Sequence, residues 1–352
     1  METEEDRGGT LKAVVKSRPE PGIDVLDLPV PEAGEGEVLI EIRAAAICGS
    51  DLGIYHYTPA YSGMKLPVVM GHEFAGEVAE MGPGVEGVSV GDRVLSESVK
   101  ACGSCRFCRE GMSNLCEGSI LFGIHADGGF AEYVTVPQEL LHRMPDGMTF
   151  EEAAVVEPLS NALHFVRDIT PINPGDLAVV QGIGPIGLFS AQLFRLEGAR
   201  VLLTGIGVDA ERFRIAEGLG FEAVNVEEED LVEKVMEITG GAGADIAFVA
   251  VGAASAMLEA VHLVRKRGHV TVVGIFPGDV GLPMTHIVRR EITVSGAYDA
   301  RPVNFPESIG LLESGAINAR DIITHRFPLD EAEEAFGVAI SKKGGKVLFV
   351  NG

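Results

Sequence analysis

The 352-residue chain carries 28 Lys plus Arg against 52 Asp plus Glu, a formal charge of −24, with 46% hydrophobic and 23% charged residues. This composition excludes general disorder, and so acidic a chain is a poor partner for a phosphate backbone or an anionic membrane, so neither nucleic acid nor membrane is expected as a partner. The length suits two domains, each able to bury its own core.

In chain order, the acidic start Met1-Glu2-Thr3-Glu4-Glu5-Asp6 has no apolar run behind it. No signal or transit peptide is read there, and a cytoplasmic location is the default. Residues 11 to about 160 are rich in glycine and in short strand-patterned runs such as Val38–Ile42, Phe74–Val78 and Ala131–Val136. Turn residues at Pro31, Gly34, Gly82-Pro83-Gly84 and Gly91-Asp92 separate them, which predicts a compact, mostly β domain. From Leu177 the pattern changes. Continuous apolar runs at Leu177–Val180, Val201–Thr204, Ile246–Val251, Val270–Gly274 and Ile292–Val294 alternate with helical spacing over Ile186–Leu196, Ala210–Leu219, Leu231–Ile238 and Ser255–Lys266. Strands buried on both faces and joined by helices predict an α/β fold with a doubly wound parallel sheet. Beyond about residue 300 the alternation stops, and a helix near Asp330–Ser341 and a strand Lys346–Val350 are expected. The most apolar long segment, Leu177–Phe189, holds three glycines and a proline and is too short to span a bilayer.

Gln181-Gly182-Ile183-Gly184-Pro185-Ile186-Gly187 follows the first of these strands and opens a helix. Gly182 permits a tight turn, Gly184 lets the backbone approach a pyrophosphate, and Gly187 allows close helix–strand packing. The helix N-terminus then offers free N–H groups to the phosphates, so a dinucleotide site is expected. The second strand should end in an acid that holds the adenosine ribose, but that position is Gly205, with Asp209 about a turn later. Without the carboxylate, Arg212 or Arg214 could pair with a 2′-phosphate, so both NAD and NADP stay open. Glu227-Glu228-Glu229-Asp230 reads as a solvated helix start and Arg289-Arg290 as a surface pair.

Cys102-x-x-Cys105-x-x-Cys108-x7-Cys116 places four soft ligands in one loop, about residues 100–117. Four thiolates suit a closed, structural zinc site. A ferredoxin-type iron–sulfur run would need its fourth cysteine after three residues, followed by proline; here the gap is seven and Glu117 follows. The fifth cysteine stands in Ile47-Cys48-Gly49-Ser50-Asp51, with Gly71-His72-Glu73 and Glu157-Pro158-Leu159-Ser160 further on. Separately each is unremarkable. Together they offer a thiolate, an imidazole and two carboxylates, which suits a zinc site able to retain water or substrate.

With these motifs the chain resembles the zinc-containing medium-chain dehydrogenases/reductases, and within them the sorbitol (polyol) dehydrogenase branch, from about residue 11 to 350. The resemblance implies a GroES-like catalytic domain from residues 1–160 and 300–352 around a Rossmann domain at 161–299. It also implies two zinc ions per subunit and a homotetramer. Cys48, His72 and Glu73 would be catalytic zinc ligands, and Glu157 a fourth ligand or the holder of a water. Ser50 matches a hydroxyl that begins a proton relay, and Ile186, Arg212 and Val273-Gly274-Ile275 match cofactor-contact positions. The implied reaction is Lewis-acid oxidation of a secondary alcohol of a small neutral polyol or sugar, with hydride passed to NAD(P). Three departures blur the substrate. Gly53 stands where the family often has a relay histidine, and His56 nearby reads as a bystander. Asp299-Ala300 replaces the Arg-Tyr pair that grips polyols, and Gly205 replaces the NAD-selecting acid. A threonine 3-dehydrogenase-like amino-alcohol oxidation is the alternative, with a non-catalytic dinucleotide-binding protein behind it.

Overall fold

The computed structural model describes residues 9–351, so the acidic start Met1–Asp6 lies outside the described residues. Six parallel strands form one sheet, in the order Glu222–Asn225, Arg200–Gly205, Leu177–Gln181, Ala244–Val249, Val264–Val272, Thr293–Gly296. Counted along the chain, that order is 3-2-1-4-5-6, the doubly wound dinucleotide-binding topology with its crossover at Leu177–Gln181. The strand at the crossover is buried at all of its positions, as its unbroken apolar run requires.

A second, antiparallel sheet gathers residues from both ends of the chain. Its central strand Glu37–Ala46 pairs with Phe74–Met81 and Tyr133–Pro137, and also with the final strand Lys346–Val350, where Leu348 faces Ala46. A smaller sheet of Asp24–Pro29, Thr10–Lys16 and Val68–Val69 lies beside it, and Val99–Lys100 with Ile120–Leu121 frames the cysteine lobe. The two main sheets share a hydrophobic core: Ala44 and Leu95 of one and Val180 and Phe248 of the other join through Val156, Leu159 and Leu163. Those three belong to a helix, Val156–Leu163, that continues as a π-helical turn, His164–Ile169, between the sheets.

Some boundaries differ from the sequence pattern. The helix expected to reach Lys266 ends at Leu263, and the chain passes directly into the strand Val264–Val272. Val264 pairs with Ala244 and is fully buried, and the ladder then shifts, with Arg267 at φ 60°. Burial of one valine against the sheet thus outweighs the helical spacing around it. Beyond residue 300 the chain also forms a helix, Asn304–Glu313, and a strand, Ile323–Phe327, that the sequence pattern did not predict. Among the described residues, no helix is long and apolar enough to cross a membrane.

Candidate active site and cofactor cleft

Cys48 ends the long strand region and precedes the short helix Gly49–Tyr55, with Asp51 in its first turn. The Asp51 carboxylate accepts from Cys48 N–H at 2.8 Å and is wholly buried. His72 and Glu73 come from the turn before Phe74–Met81, and the ligand atoms of Cys48, His72 and Glu73 all lie within 4.8 Å of one another. His72 Nδ1 is turned toward Asp51 Oδ1 at 3.9 Å, and Nε2 lies 3.3 Å from Ser50 Oγ. Two buried atoms here, Asp51 Oδ1 and His72 Nδ1, face each other without a hydrogen bond, whereas both oxygens of Glu73 lie against Lys346 Nζ, at 2.6 and 2.5 Å. Buried polar atoms left unpaired are costly, and such a pair beside converging ligand atoms marks a place prepared for a ligand. A soft thiolate, an imidazole and a carboxylate converging this closely fit zinc.

Lys346 was not singled out by the sequence. It lies in the last strand, almost fully buried, with Nζ 2.6 Å from Glu73 Oε1. Burial lifts the Glu73 carboxyl to about 7 even though the Lys346 ammonium pulls it down. Only long-range pairing brings these two residues together, so no local signal could have joined Lys346 to the Glu73 that its motif had already marked. Glu157, at the start of Val156–Leu163, lies outside the three-residue group. Its oxygens accept from Ser98 Oγ at 2.9 Å and Asn161 Nδ2 at 3.0 Å.

Above Gly53 there is no room for a side chain: a Cβ would meet the Tyr61 ring at 2.5 Å. Tyr61 shares a hydrogen bond with Ser50, and burial raises its pKa well above the ordinary phenol range, so it stays protonated. His56 is exposed and edges against Tyr55.

A cleft of about 200 Å³ opens beside Ser98, lined among others by Glu97, Lys100, Asn114, Asp299 and Phe305. Glu97 is held by His142 at 2.9 Å, and Asn114 Nδ2 donates to Tyr298 O at 2.8 Å while its Oδ1 has no partner. Burial and the neighbouring Glu157 lift the Asp299 carboxyl to about 7.

Over the parallel sheet, Gly182 adopts φ 113°, and a Cβ on Gly187 would stand 1.8 Å from the Gly182 carbonyl oxygen. Gly184 is the N-cap of the helix Pro185–Leu196, with Pro185 in its first turn and Ile186 half-buried. The turn therefore leaves helix N–H groups unpaired within the helix, an arrangement that fits a pyrophosphate. Val273 N–H and Gly274 N–H both donate to Val249 O, and Ile275 is exposed at the mouth. At the neighbouring strand end, a Cβ on Gly205 would lie 2.9 Å from Ile183 Cγ2. Arg212 is already engaged, with Nη1 3.1 Å from Asp209 Oδ1 and Nε donating to Gly344 O at 2.9 Å.

The ligand atoms of Cys102, Cys105, Cys108 and Cys116 also gather within 4.8 Å, and none of these cysteines forms a disulfide. Their sulfurs accept backbone N–H groups, Cys105 N to Cys102 Sγ at 3.3 Å and Cys102 N to Cys116 Sγ at 3.2 Å. Backbone donation from Ser104 and Cys105 brings the Cys102 thiol down to about 6, toward the thiolate a metal needs, whereas burial and its hydrogen bond with Cys105 push the Cys108 thiol up to about 12.

Residues 34–146 match the model of the alcohol dehydrogenase GroES-like domain, and residues 185–314 that of the zinc-binding dehydrogenases. The chain is 38% identical to the sorbitol dehydrogenase of Halalkalibacterium halodurans over 344 residues, 96% of this chain and 98% of that one. It is also 38% identical to the L-threonine 3-dehydrogenase of Pyrococcus abyssi, over 97% of this chain and 98% of the other. Among solved structures, a candidate zinc-binding dehydrogenase from Sinorhizobium meliloti 1021, bound to NADP, superposes with a TM-score of 0.90 at 32% identity, covering 97% of this chain and 100% of the other.

Proposed function

The chain belongs to the zinc-binding alcohol dehydrogenases of the medium-chain dehydrogenase/reductase family, and from that premise we propose that it reversibly oxidises a secondary hydroxyl of a neutral polyol or sugar. It is an oxidoreductase that uses zinc and NAD or NADP. The observation that carries the proposal is the convergence of Cys48, His72 and Glu73, whose ligand atoms all lie within 4.8 Å of one another. We assign these three residues to the catalytic zinc, Glu157 to a fourth donor or the holder of a water, and the four lobe cysteines to a structural zinc. Gly182, Gly184, Pro185, Ile186, Gly187, Arg212 and Val273-Gly274-Ile275 are assigned to the dinucleotide.

When bound, zinc supplies Lewis acidity to a substrate hydroxyl and the nicotinamide supplies the hydride acceptor. The chain's own residues do the rest. Asp51 anchors Cys48 through its N–H and faces His72 Nδ1, which leaves Nε2, 3.3 Å from Ser50 Oγ, as the ring nitrogen that would ligate the metal. Ser50 Oγ, coupled to the protonated Tyr61 hydroxyl, is the first station for the substrate proton. Ser98 and Asn161 fix both oxygens of Glu157, so its carboxylate is oriented before substrate arrives. Lys346 balances the buried charge of Glu73.

The cleft beside Ser98 supports a neutral substrate. Glu97 and Glu139 outnumber its one lysine, Lys100, and Asp299 adds further negative charge once the pH passes about 7, which disfavours a phosphate ester or a substrate carboxylate. The same proposal includes a cytoplasmic homotetramer and the domain division 1–160 with 300–352 and 161–299. Supporting the division, the last strand pairs with Glu37–Ala46 while all six parallel strands fall within 177–296. Supporting association, Thr293–Gly296 pairs on one side only among the described strands, and the helix that precedes it, Met284–Arg290, exposes Met284 and Val288.

The test is absorbance at 340 nm with NAD and NADP offered separately against sorbitol, xylitol, galactitol, ribitol, 2,3-butanediol, glucose and threonine. Reduced cofactor formed on a polyol supports the reading. A response to threonine alone moves the enzyme to the amino-alcohol branch.

A further inference from the structure

The corner beyond Arg200–Gly205 is where a dinucleotide fold reads the adenosine ribose, through an acid at the strand end. Here that acid is absent, and the packing of Gly205 against Ile183 and Phe213 leaves no space for one. The residues nearby that could take its place are committed elsewhere. Asp209 is buried, with Oδ2 accepting from Ile206 N–H at 3.2 Å and Oδ1 on Arg212. Arg212 is held between Asp209 and the Gly344 carbonyl, and Arg214 is paired with Glu211 at 2.6 Å. A 2′-phosphate would have to compete with a carboxylate for either cation, a buried one at Arg212 and an exposed one at Arg214.

The next loop supplies what is missing. Asn225 pairs in register with Gly205, and Val226 N–H donates to Gly205 O at 3.0 Å, so the segment after Glu222–Asn225 is tied to the same strand end. Glu227 N–H is held by Asn225 Oδ1 at 3.1 Å, and its carboxylate reaches across to accept from Gly207 N–H at 2.8 Å. The carboxylate therefore covers the backbone donor of Gly207, two residues past the strand end, where an anionic 2′-phosphate would otherwise find its amide. Glu227 is not merely the first of a solvated acidic run: Asp230 caps the helix Leu231–Ile238 through Glu233 N–H, whereas Glu227 turns back to the cofactor corner.

We propose that Glu227 is the cofactor-selecting residue, reaching from the following loop to replace the acid missing at Gly205, so that the enzyme favours NAD over NADP. The proposal rests on the dinucleotide reading of the Gly182–Gly187 turn. A carboxylate there accepts from ribose hydroxyls and repels a phosphate that would carry close to two negative charges. Being exposed, it should act more strongly at low salt.

The experiment is fluorescence titration of NADH and NADPH into the purified enzyme, without substrate, at low and high ionic strength. The wild type should bind NADH at least about tenfold tighter than NADPH at low salt, as expected of like charges set close together. Glu227→Gln should bring that ratio down by about fivefold or more, chiefly through tighter NADPH, and flatten its salt dependence. Glu228→Gln removes the same charge from a residue that does not reach Gly207 and should leave the ratio unchanged. A wild type that prefers NADPH, an unchanged ratio in Glu227→Gln, or an equal shift in Glu228→Gln would each overturn the proposal. If neither reduced cofactor bound, the dinucleotide reading would itself fail and take this proposal with it.

Discussion

The cysteine lobe and the Cys48–His72–Glu73 cluster reach similar chemistry by opposite routes. The lobe draws its four ligands from the fifteen residues 102–116, and their sulfurs are bonded by the loop's own backbone N–H groups. The buried cluster draws from two distant stretches and takes its counter-charge from Lys346, 273 residues from Glu73. The lobe is a local solution, closed on itself. The buried cluster exists only once Glu37–Ala46 has paired with Phe74–Met81, and its counter-charge arrives only when the last strand joins the same sheet. Closed and local suits a structural ion; assembled and open suits one that meets substrate.

The sharpest way to break this contrast is to remove one ligand from each cluster. Cys48→Ser should cut kcat at least about a thousandfold. NADH affinity, read by fluorescence, should stay within about twofold, because the glycine turn is untouched. Normal turnover in that variant would overturn the catalytic assignment. The next largest effect falls on stability. Lys346→Met leaves a buried carboxylate without its cation and should cost about 3 kcal/mol or more in denaturant unfolding. Adding Glu73→Gln to the same chain should recover most of that loss, since the unpaired charge is then gone. If the double variant is no more stable than Lys346→Met alone, the pair is not the source. In the lobe, Cys105→Ser should release one zinc per chain, measured by elemental analysis, and lower the melting temperature. Its kcat should fall by less than about tenfold, because no lobe cysteine touches the reacting groups.

The same contrast explains what the sequence could say about the molecule. The lobe was legible because its chemistry is a spacing. The glycine turn was legible because strand, turn and helix lie next to each other in the chain. Cys48, His72 and Glu73 could be singled out as residue types in motifs, but their convergence depends on strand pairing that no spacing records. Lys346 and Tyr61 escaped for that reason: each acts through a partner set by the tertiary fold. Glu227 looked like part of a charge run, and only the register of Asn225 with Gly205 turns its carboxylate toward Gly207. At the junction of Leu263 and Val264, helical spacing lost to the burial of one side chain in the sheet.

The smallest predicted effect tests how the local lobe is joined to the assembled body. Asn114, between the third and fourth lobe cysteines, has Nδ2 3.5 Å from His164 Nε2. His164 Nδ1 is 2.8 Å from Asp168 Oδ2, which also accepts from Asn304 at 3.1 Å and pairs with Arg301 at 2.5 Å. Burial alone would raise the Asp168 carboxyl, but hydrogen bonds from His164, Asn304 and Arg301 prevail and hold it below its ordinary value. A group whose folded pKa lies below its unfolded one stabilises the fold above the ordinary carboxylate range, and that stabilisation fades as the pH falls through the folded value. Asp168 is partly exposed, so solvent screening limits the effect, and Asp168→Asn should cost about 1 kcal/mol or less at pH 7. Melting curves of the two proteins should converge as the pH is lowered from about 5 toward 3, where the wild-type carboxylate also loses its charge. A gap that stayed constant over that range would mean that Asp168 joins lobe and body by shape alone, with its charge playing no part.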